Sequence, residues 1–270
     1  MKIDLKCGDC LELMQDIPDK SIDLILCDLP YGTTRLEWDK PIPFEPLWEQ
    51  YNRIIKDNGA ILLFSAQPFT TDLINSNRKM FRYEIIWEKT LVTGFYNAKK
   101  MPLRIHENIL VFYKHLPTYN PQKHQLTQEY IEQHLVRIGE KRKNSDYKRK
   151  STGKAWGGVS KEADEIWEYT DTGERYPTDI VKFSNWNGTL FGNKTKTVKH
   201  PTQKPLPLLE YLIKTYSNEG DVVLDNCMGS GSTGVACVNL NRNFIGIELD
   251  QHFFEVAKER INSAFTDKED

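Results

Sequence analysis

Val222-Val223-Leu224-Asp225-Asn226-Cys227-Met228-Gly229-Ser230-Gly231-Ser232-Thr233-Gly234 is the stretch on which the fold turns. An apolar run ends in a carboxylate, a glycine-rich turn follows, and a helical pattern opens at Thr233 and carries Val235, Ala236, Val238 and Leu240. That order is strand, tight loop, helix. Glycines there let backbone N–H groups at a helix N-terminus approach a ligand closely. Phe244-Ile245-Gly246-Ile247-Glu248-Leu249 then reads as a second strand ending in an acid, where a ribose diol would be held. The ligand this pattern implies is a nucleoside.

Gly229 to Gly234 also matches the dinucleotide fingerprint, with Glu248 near the expected offset. Two details argue against a pyrophosphate. In the dinucleotide turn the first glycine closes the strand directly, whereas here Asp225 and three further residues come first. A carboxylate repels a pyrophosphate but suits the ammonium of an amino acid. A nucleoside with an amino-acid tail is S-adenosylmethionine, so the pattern points to a methyl-donor site, with NAD and a turn of purely packing role as alternatives.

At 270 residues, 39% of them hydrophobic, the chain can bury a full core, as one domain with a sizeable insertion or as two. No run reaches membrane-spanning length, and Met1-Lys2-Ile3-Asp4 begins no signal peptide, so a cytoplasmic location without membrane partners is expected. Five cysteines, an odd number, argue against a disulfide framework. Cys7-Gly8-Asp9-Cys10 is a lone C-x-x-C, and a zinc site needs four ligands, so no metal site is expected.

Working outward, Ile3 to Cys7 alternates as a short strand and leads through Gly8-Asp9-Cys10 into a helix bearing Leu11, Leu13 and Met14. Ile22 to Cys27 is a buried-type strand that stops at Asp28-Leu29-Pro30-Tyr31-Gly32. A polar loop over 33–40, a helix from Phe44 to Ile55, a strand from Ala60 to Phe64 and a helix near Phe69 to Ile74 follow. This alternation predicts an α/β fold with a mostly parallel sheet. Tyr83 to Trp87 and Asn108 to Tyr113, joined only by a loop, are expected to pair antiparallel at one sheet edge.

From Lys114 to Lys199 there are 16 Lys/Arg against 11 Asp/Glu, a surplus of +5 in a chain whose net charge is −2. The cluster is densest at Arg137, Lys141, Arg142, Lys143, Lys148, Arg149, Lys150 and Lys154, with Tyr147 and Trp156 interleaved. A phosphate backbone is attracted to such a run through counterion release, and a solvated basic loop has the same composition. The chain re-enters an ordered core at His200-Pro201-Thr202-Gln203-Lys204-Pro205, before a helix with Leu206, Leu209, Ile213 and Tyr216 on one face.

Asp28-Leu29-Pro30-Tyr31 lies where a buried strand opens into a loop, the edge of a parallel sheet where ligands bind. Asp28 can accept a hydrogen bond from an exocyclic amine, the Leu29 or Pro30 carbonyl can accept the other, and Tyr31 offers a ring for stacking. An amine held in that way presents its lone pair and can attack a sulfonium methyl directly, without a covalent enzyme intermediate. A strand-ending turn with Tyr31 merely packed is the alternative.

Together these stretches resemble the beta-class amino-group DNA methyltransferases over about residues 1–114 and 199–270. Asp28-Leu29-Pro30-Tyr31 is similar to their D-P-P-Y tetrapeptide, His200 to Leu206 to the segment before their donor strand, and Asp225 to Thr233 to their D-P-F-x-G-S-G-T-T turn. The order, tetrapeptide first and donor turn last, is that of the beta class. The resemblance implies a Rossmann-like class I methyltransferase fold in circularly permuted motif order, with 115–198 as an inserted target-recognition region. It implies S-adenosylmethionine as methyl donor and duplex DNA as substrate, with the target base extruded from the stack.

Carried over by position, the resemblance gives Gly229, Ser230, Gly231, Ser232 and Thr233, beside Asp225 and Cys227, the methionine part of the donor. Glu248 takes the ribose hydroxyls, Asp9 and Cys10 the adenine edge, and Thr202 with Lys204 the donor's carboxylate side, with His200, Gln203 and Leu249 also among the donor contacts. Asp28, Leu29, Pro30 and Tyr31 form the catalytic corner, with Asp28 also bordering the donor. Lys99, Lys100 and Arg104, near Phe95 and Tyr96, and Arg142, Lys143 and Arg149 are the candidate DNA contacts.

Two departures stand out: Leu29 replaces the first proline, and Asn226-Cys227 replaces proline-phenylalanine, which removes an aromatic contact and predicts weaker donor binding. The leading Asp28 favours adenine N6 over cytosine N4 as a family tendency. Methylation of RNA or a protein amide, an NAD-dependent oxidoreductase and a non-catalytic DNA-binding module are the rival readings. A cognate restriction endonuclease and a homodimer remain open as partners.

Overall fold

The computed structural model describes residues 1–32, 39–127, 129–131, 141–143, 168–170, 172–185 and 203–269. The strands are β1 (Ile3–Cys7), β2 (Ile22–Cys27), β3 (Ile55–Ser65), β4 (Phe81–Thr93), β5 (Arg104–Phe112), β6 (His124–Gln125), β7 (Lys141–Lys143), β8 (Glu168–Thr170), β9 (Glu174–Arg175), β10 (Ile180–Phe183), β11 (Val222–Asp225) and β12 (Asn243–Glu248). The helices are α1 (Cys10–Leu13), α2 (Phe44–Ile54), α3 (Phe69–Ser76), α4 (Leu206–Tyr216), α5 (Ser232–Asn239) and α6 (Gln251–Glu269).

Eight strands form one sheet in the order β1-β12-β11-β2-β3-β5-β4-β10. Every neighbouring pair is parallel except the two made by β5, which runs antiparallel to both β3 and β4. The antiparallel strand is therefore interior, which corrects the expectation of an antiparallel edge. The reason is β10, which docks parallel beside β4 in the register Ile180↔Ile86 and, with β4, covers β5 from the edge.

Period-two alternation along the central strands sends side chains to two apolar layers. Leu24, Leu26, Leu62, Phe64 and Val223 face α4, α5 and α6, packing with Leu209, Ile213, Ala236, Ala257 and Ile261. Ile25, Cys27, Ile61, Leu63 and Leu224 face α1, α2 and α3, packing with Met14, Leu47, Tyr51, Ile54 and Leu73. Helices on both faces explain why β2 and β3 read as continuous apolar runs. Each fully buried Leu or Ile contributes about 1.5–3 kcal/mol relative to exposure.

The chain divides into two compact units, 1–121 with 178–270, and 122–177. The smaller is narrower than the expected insertion 115–198, because Ile180–Phe183 is spent on the main sheet. Within it, β6 pairs antiparallel with β9 and β7 with β8. Among the described residues no helix is long and apolar enough to cross a membrane.

Candidate active site

The two motifs meet because β11 lies directly beside β2, in the register Val223↔Leu24 and Leu224↔Ile25. From β2 the chain proceeds to β3 on one side, and from β11 to β12 on the other. This divergence is the switch point at which an open parallel sheet leaves a crevice beyond its carboxyl ends. Asp28 follows β2 and Asn226 follows β11, so the corner and the glycine turn open into the same edge.

Gly229 and Gly231 have φ of +52° and +78°, which favour glycine. A Cβ at Gly231 would come within 2.9 Å of Ala257 Cβ on α6, so the turn and that helix are in close contact. A Cβ at Gly229 would meet nothing within 4 Å, so the space beside this part of the turn is open. Asp225 closes the turn rather than facing outward: Thr233 Oγ1 donates to its Oδ2 at 2.6 Å and the Cys227 N–H to its Oδ1 at 3.1 Å. Burial pushes its pKa up to about 6. Glu248 accepts from the N–H groups of Gly229 at 2.8 Å and Asp250 at 2.9 Å, and burial raises its pKa.

Asp9 caps α1 by accepting from the Leu11 N–H at 2.7 Å, and Cys10 is buried beneath it. Leu249 is exposed at the tip of β12. Asn226 Nδ2 donates to Cys227 Sγ at 3.6 Å, and burial pushes the Cys27 pKa up to about 12. Both departures from the motif have a structural use. Leu29 is buried in the apolar layer with Phe69, and Asn226 Oδ1 accepts from the buried Tyr51 hydroxyl at 2.6 Å, a bond proline could not make.

At the corner, the Tyr31 hydroxyl donates to Asp28 Oδ1 at 2.8 Å. One face of the Tyr31 ring stacks on Phe69, with centroids 5.0 Å apart and planes at 24°. Burial pushes the Tyr31 pKa well up. Lys204 forms an ion pair with Asp28 Oδ2, while its neighbour Gln203 meets Ser230 Oγ at 3.5 Å. Two consecutive residues thus bridge the corner and the glycine turn. His200 and Thr202 lie outside the described residues.

Sequence reasoning missed Arg260, Glu107, Lys89 and Phe69. Arg260 on α6 reaches the glycine turn, donating to Ser230 Oγ at 2.8 Å and Ser232 Oγ at 3.3 Å as well as to the Ser230 carbonyl. Glu107 on β5 pairs with Lys89 on β4 and faces Lys204. Phe69 supplies the stacking partner of Tyr31. None of these carries a local motif; their meeting depends on strand register and helix packing.

Lys99 and Lys100 lie on the connection between β4 and β5 and Arg104 opens β5, at the same sheet edge, with Phe95 and Tyr96 exposed beside them. Asn185 secures its base, donating to the Leu91 carbonyl at 3.0 Å and accepting from the Leu91 N–H at 2.8 Å. Arg142 and Lys143 lie on β7, but their side chains, like Arg149, fall outside the described residues. Among the described residues no group of three or more His, Cys, Asp or Glu could hold a metal ion.

A family profile described as DNA methylase, of N6/N4 methyltransferases, matches residues 22–259. The chain is 27% identical over 268 residues to the DNA adenine methyltransferase YhdJ of Escherichia coli K12, covering 95% of this chain and 82% of that protein. Its fold is similar to that of M1.HpyAVI in complex with SAM, with a TM-score of 0.59, 23% identity and coverage of 96% and 99% of the two chains. It is also similar to the cytosine-N4-specific PvuII DNA methyltransferase, with a TM-score of 0.63, 15% identity and coverage of 98% and 92%.

Proposed function

The chain belongs to the N6/N4 DNA methylase family, amino-group DNA methyltransferases, and from that premise we propose that it transfers a methyl group from S-adenosylmethionine to the exocyclic N6 of an adenine extruded from duplex DNA. The observation that carries this reading is the adjacency of β2 and β11, which sets the Asp28–Tyr31 corner beside the Gly229–Thr233 turn. The residues fit the donor. The open space at Gly229 takes its amino-acid part, and each Glu248 oxygen, already holding one N–H, has a second lone pair for a ribose hydroxyl. Asp225 is buried and each of its oxygens accepts a bond from within the turn, so its role is to fix the turn.

The donor, when bound, supplies a sulfonium methyl. Asp28 accepts one amine hydrogen and a backbone carbonyl of the corner accepts the other, aligning the nitrogen lone pair with that methyl. Tyr31, backed by Phe69, presents its other ring face to the base. The proton released after transfer has Asp28 as the nearest acceptor. The exposed hairpin with Lys99, Lys100 and Arg104 grips the phosphate backbone, and the 122–177 unit, which carries the basic run, reads the sequence.

Adenine is favoured by the leading Asp28 and by the adenine-directed relative YhdJ. Cytosine N4 is the second reading, since its amine offers the same hydrogens to the same corner. Sequencing that detects modified bases, on DNA from cells expressing the protein, is expected to show N6-methyladenine in one sequence context. N4-methylcytosine would replace the first reading by the second, and unmodified DNA would overturn both.

A further inference from the structure

Four charged side chains cluster behind Tyr31. The Lys204 ammonium contacts Asp28 Oδ2 and lies 3.6 Å from Glu107 Oε2, while the other Glu107 oxygen pairs with Lys89. Phe64 and Trp87 lie under the two ammonium groups at 5.1 Å and 5.2 Å. Asp28 therefore has both oxygens engaged, Oδ1 by Tyr31 and Oδ2 by Lys204. Glu107 Oε2, in contrast, is buried and has no hydrogen-bond partner among the described residues. A buried carboxylate oxygen without a donor is costly to maintain, and the nearest donor stands just beyond hydrogen-bonding reach.

An exocyclic amine and a lysine ammonium are both N–H donors, and at Asp28 they compete for the same oxygen. We propose that Lys204 is a placeholder for the target amine, and that Glu107 Oε2 is the position to which it withdraws when a base enters. The shift is small: closing 3.6 Å to an ordinary charge-assisted contact takes about 1 Å. The ammonium stays near both carboxylates throughout, so no buried charge is left uncompensated. Lys89 anchors Glu107 and, although burial alone would raise the Glu107 pKa, the two lysines hold it below its ordinary value, keeping the receiving oxygen charged. Glu107 acts through Lys204 and is a positioning residue. This inference rests on the methyltransferase reading above.

The test uses a duplex of the sequence that base-detecting sequencing finds, with the target base intact and 2-aminopurine as its neighbour, whose fluorescence reports the stacking lost when the target is captured in the absence of donor. Glu107→Gln removes the charge that receives Lys204, so capture by the folded protein should weaken by roughly tenfold or more while donor binding holds; the melting temperature should fall as well, because the buried Lys89 loses its carboxylate. Adding Lys204→Met to that variant removes the placeholder, and capture should return to within about threefold of wild type. A Glu107→Gln protein that captures the base as wild type does, or a double variant no better than the single one, overturns the placeholder. A wild-type protein that marks no base in cells overturns the reading beneath it, and the placeholder falls with it.

Discussion

At Asp225 both carboxylate oxygens are taken inside the fold, and burial still outweighs those hydrogen bonds, leaving a pKa of about 6 against an ordinary 3.8. The folded state therefore holds this proton more tightly than the unfolded chain. The stability tied to it is fully present below about pH 4, falls by about 3 kcal/mol as pH rises to about 6, and is flat above. Asp225→Asn cannot ionise, so unfolding free energies measured from pH 4 to 7 should show this slope in the wild type and lose it in the variant. Parallel curves would contradict the assignment. The same residue shows why a motif letter does not fix a role. Its position after an apolar strand was legible, whereas its partners, Thr233 and the Cys227 N–H, depend on how the turn closes.

Among elements, α6 and the β4–β5 hairpin add what neither motif contains. Arg260 reaches from α6 to the two serines of the glycine turn. Arg260→Ala should weaken donor binding by about tenfold, the scale of one hydrogen bond to a charged group, with transfer at saturating donor nearly unchanged. Calorimetric titration showing wild-type affinity would remove Arg260 from the account. The hairpin calls for a different measurement. Replacing Lys99 and Lys100 together by glutamate should lower duplex affinity and reduce its salt slope by about two, one for each phosphate that is no longer neutralised. A slope that does not change would place the DNA elsewhere.

Across the whole molecule, the alternation of strand and helix around a mostly parallel sheet followed from the apolar runs and short connections, which are local signals, but two features did not. The docking of Ile180–Phe183 beside β4 was hidden in a polar, basic segment, because an exposed edge strand carries little hydrophobic pattern. The Lys89–Glu107–Lys204–Asp28 cluster was hidden because it joins distant segments through the β4–β5 register, Trp87↔Glu107. The corner and the glycine turn were legible since each is compact and ends an apolar strand. Their adjacency is supplied only by the pairing of β11 with β2.

That adjacency is most directly tested by single-turnover methyl transfer from labelled S-adenosylmethionine to the duplex sequence the protein modifies, in wild type and in Asp28→Ala, with donor affinity measured alongside. One shared site predicts donor binding within about threefold of wild type and transfer slower by about 10²–10³-fold. Transfer at the wild-type rate in Asp28→Ala would contradict it.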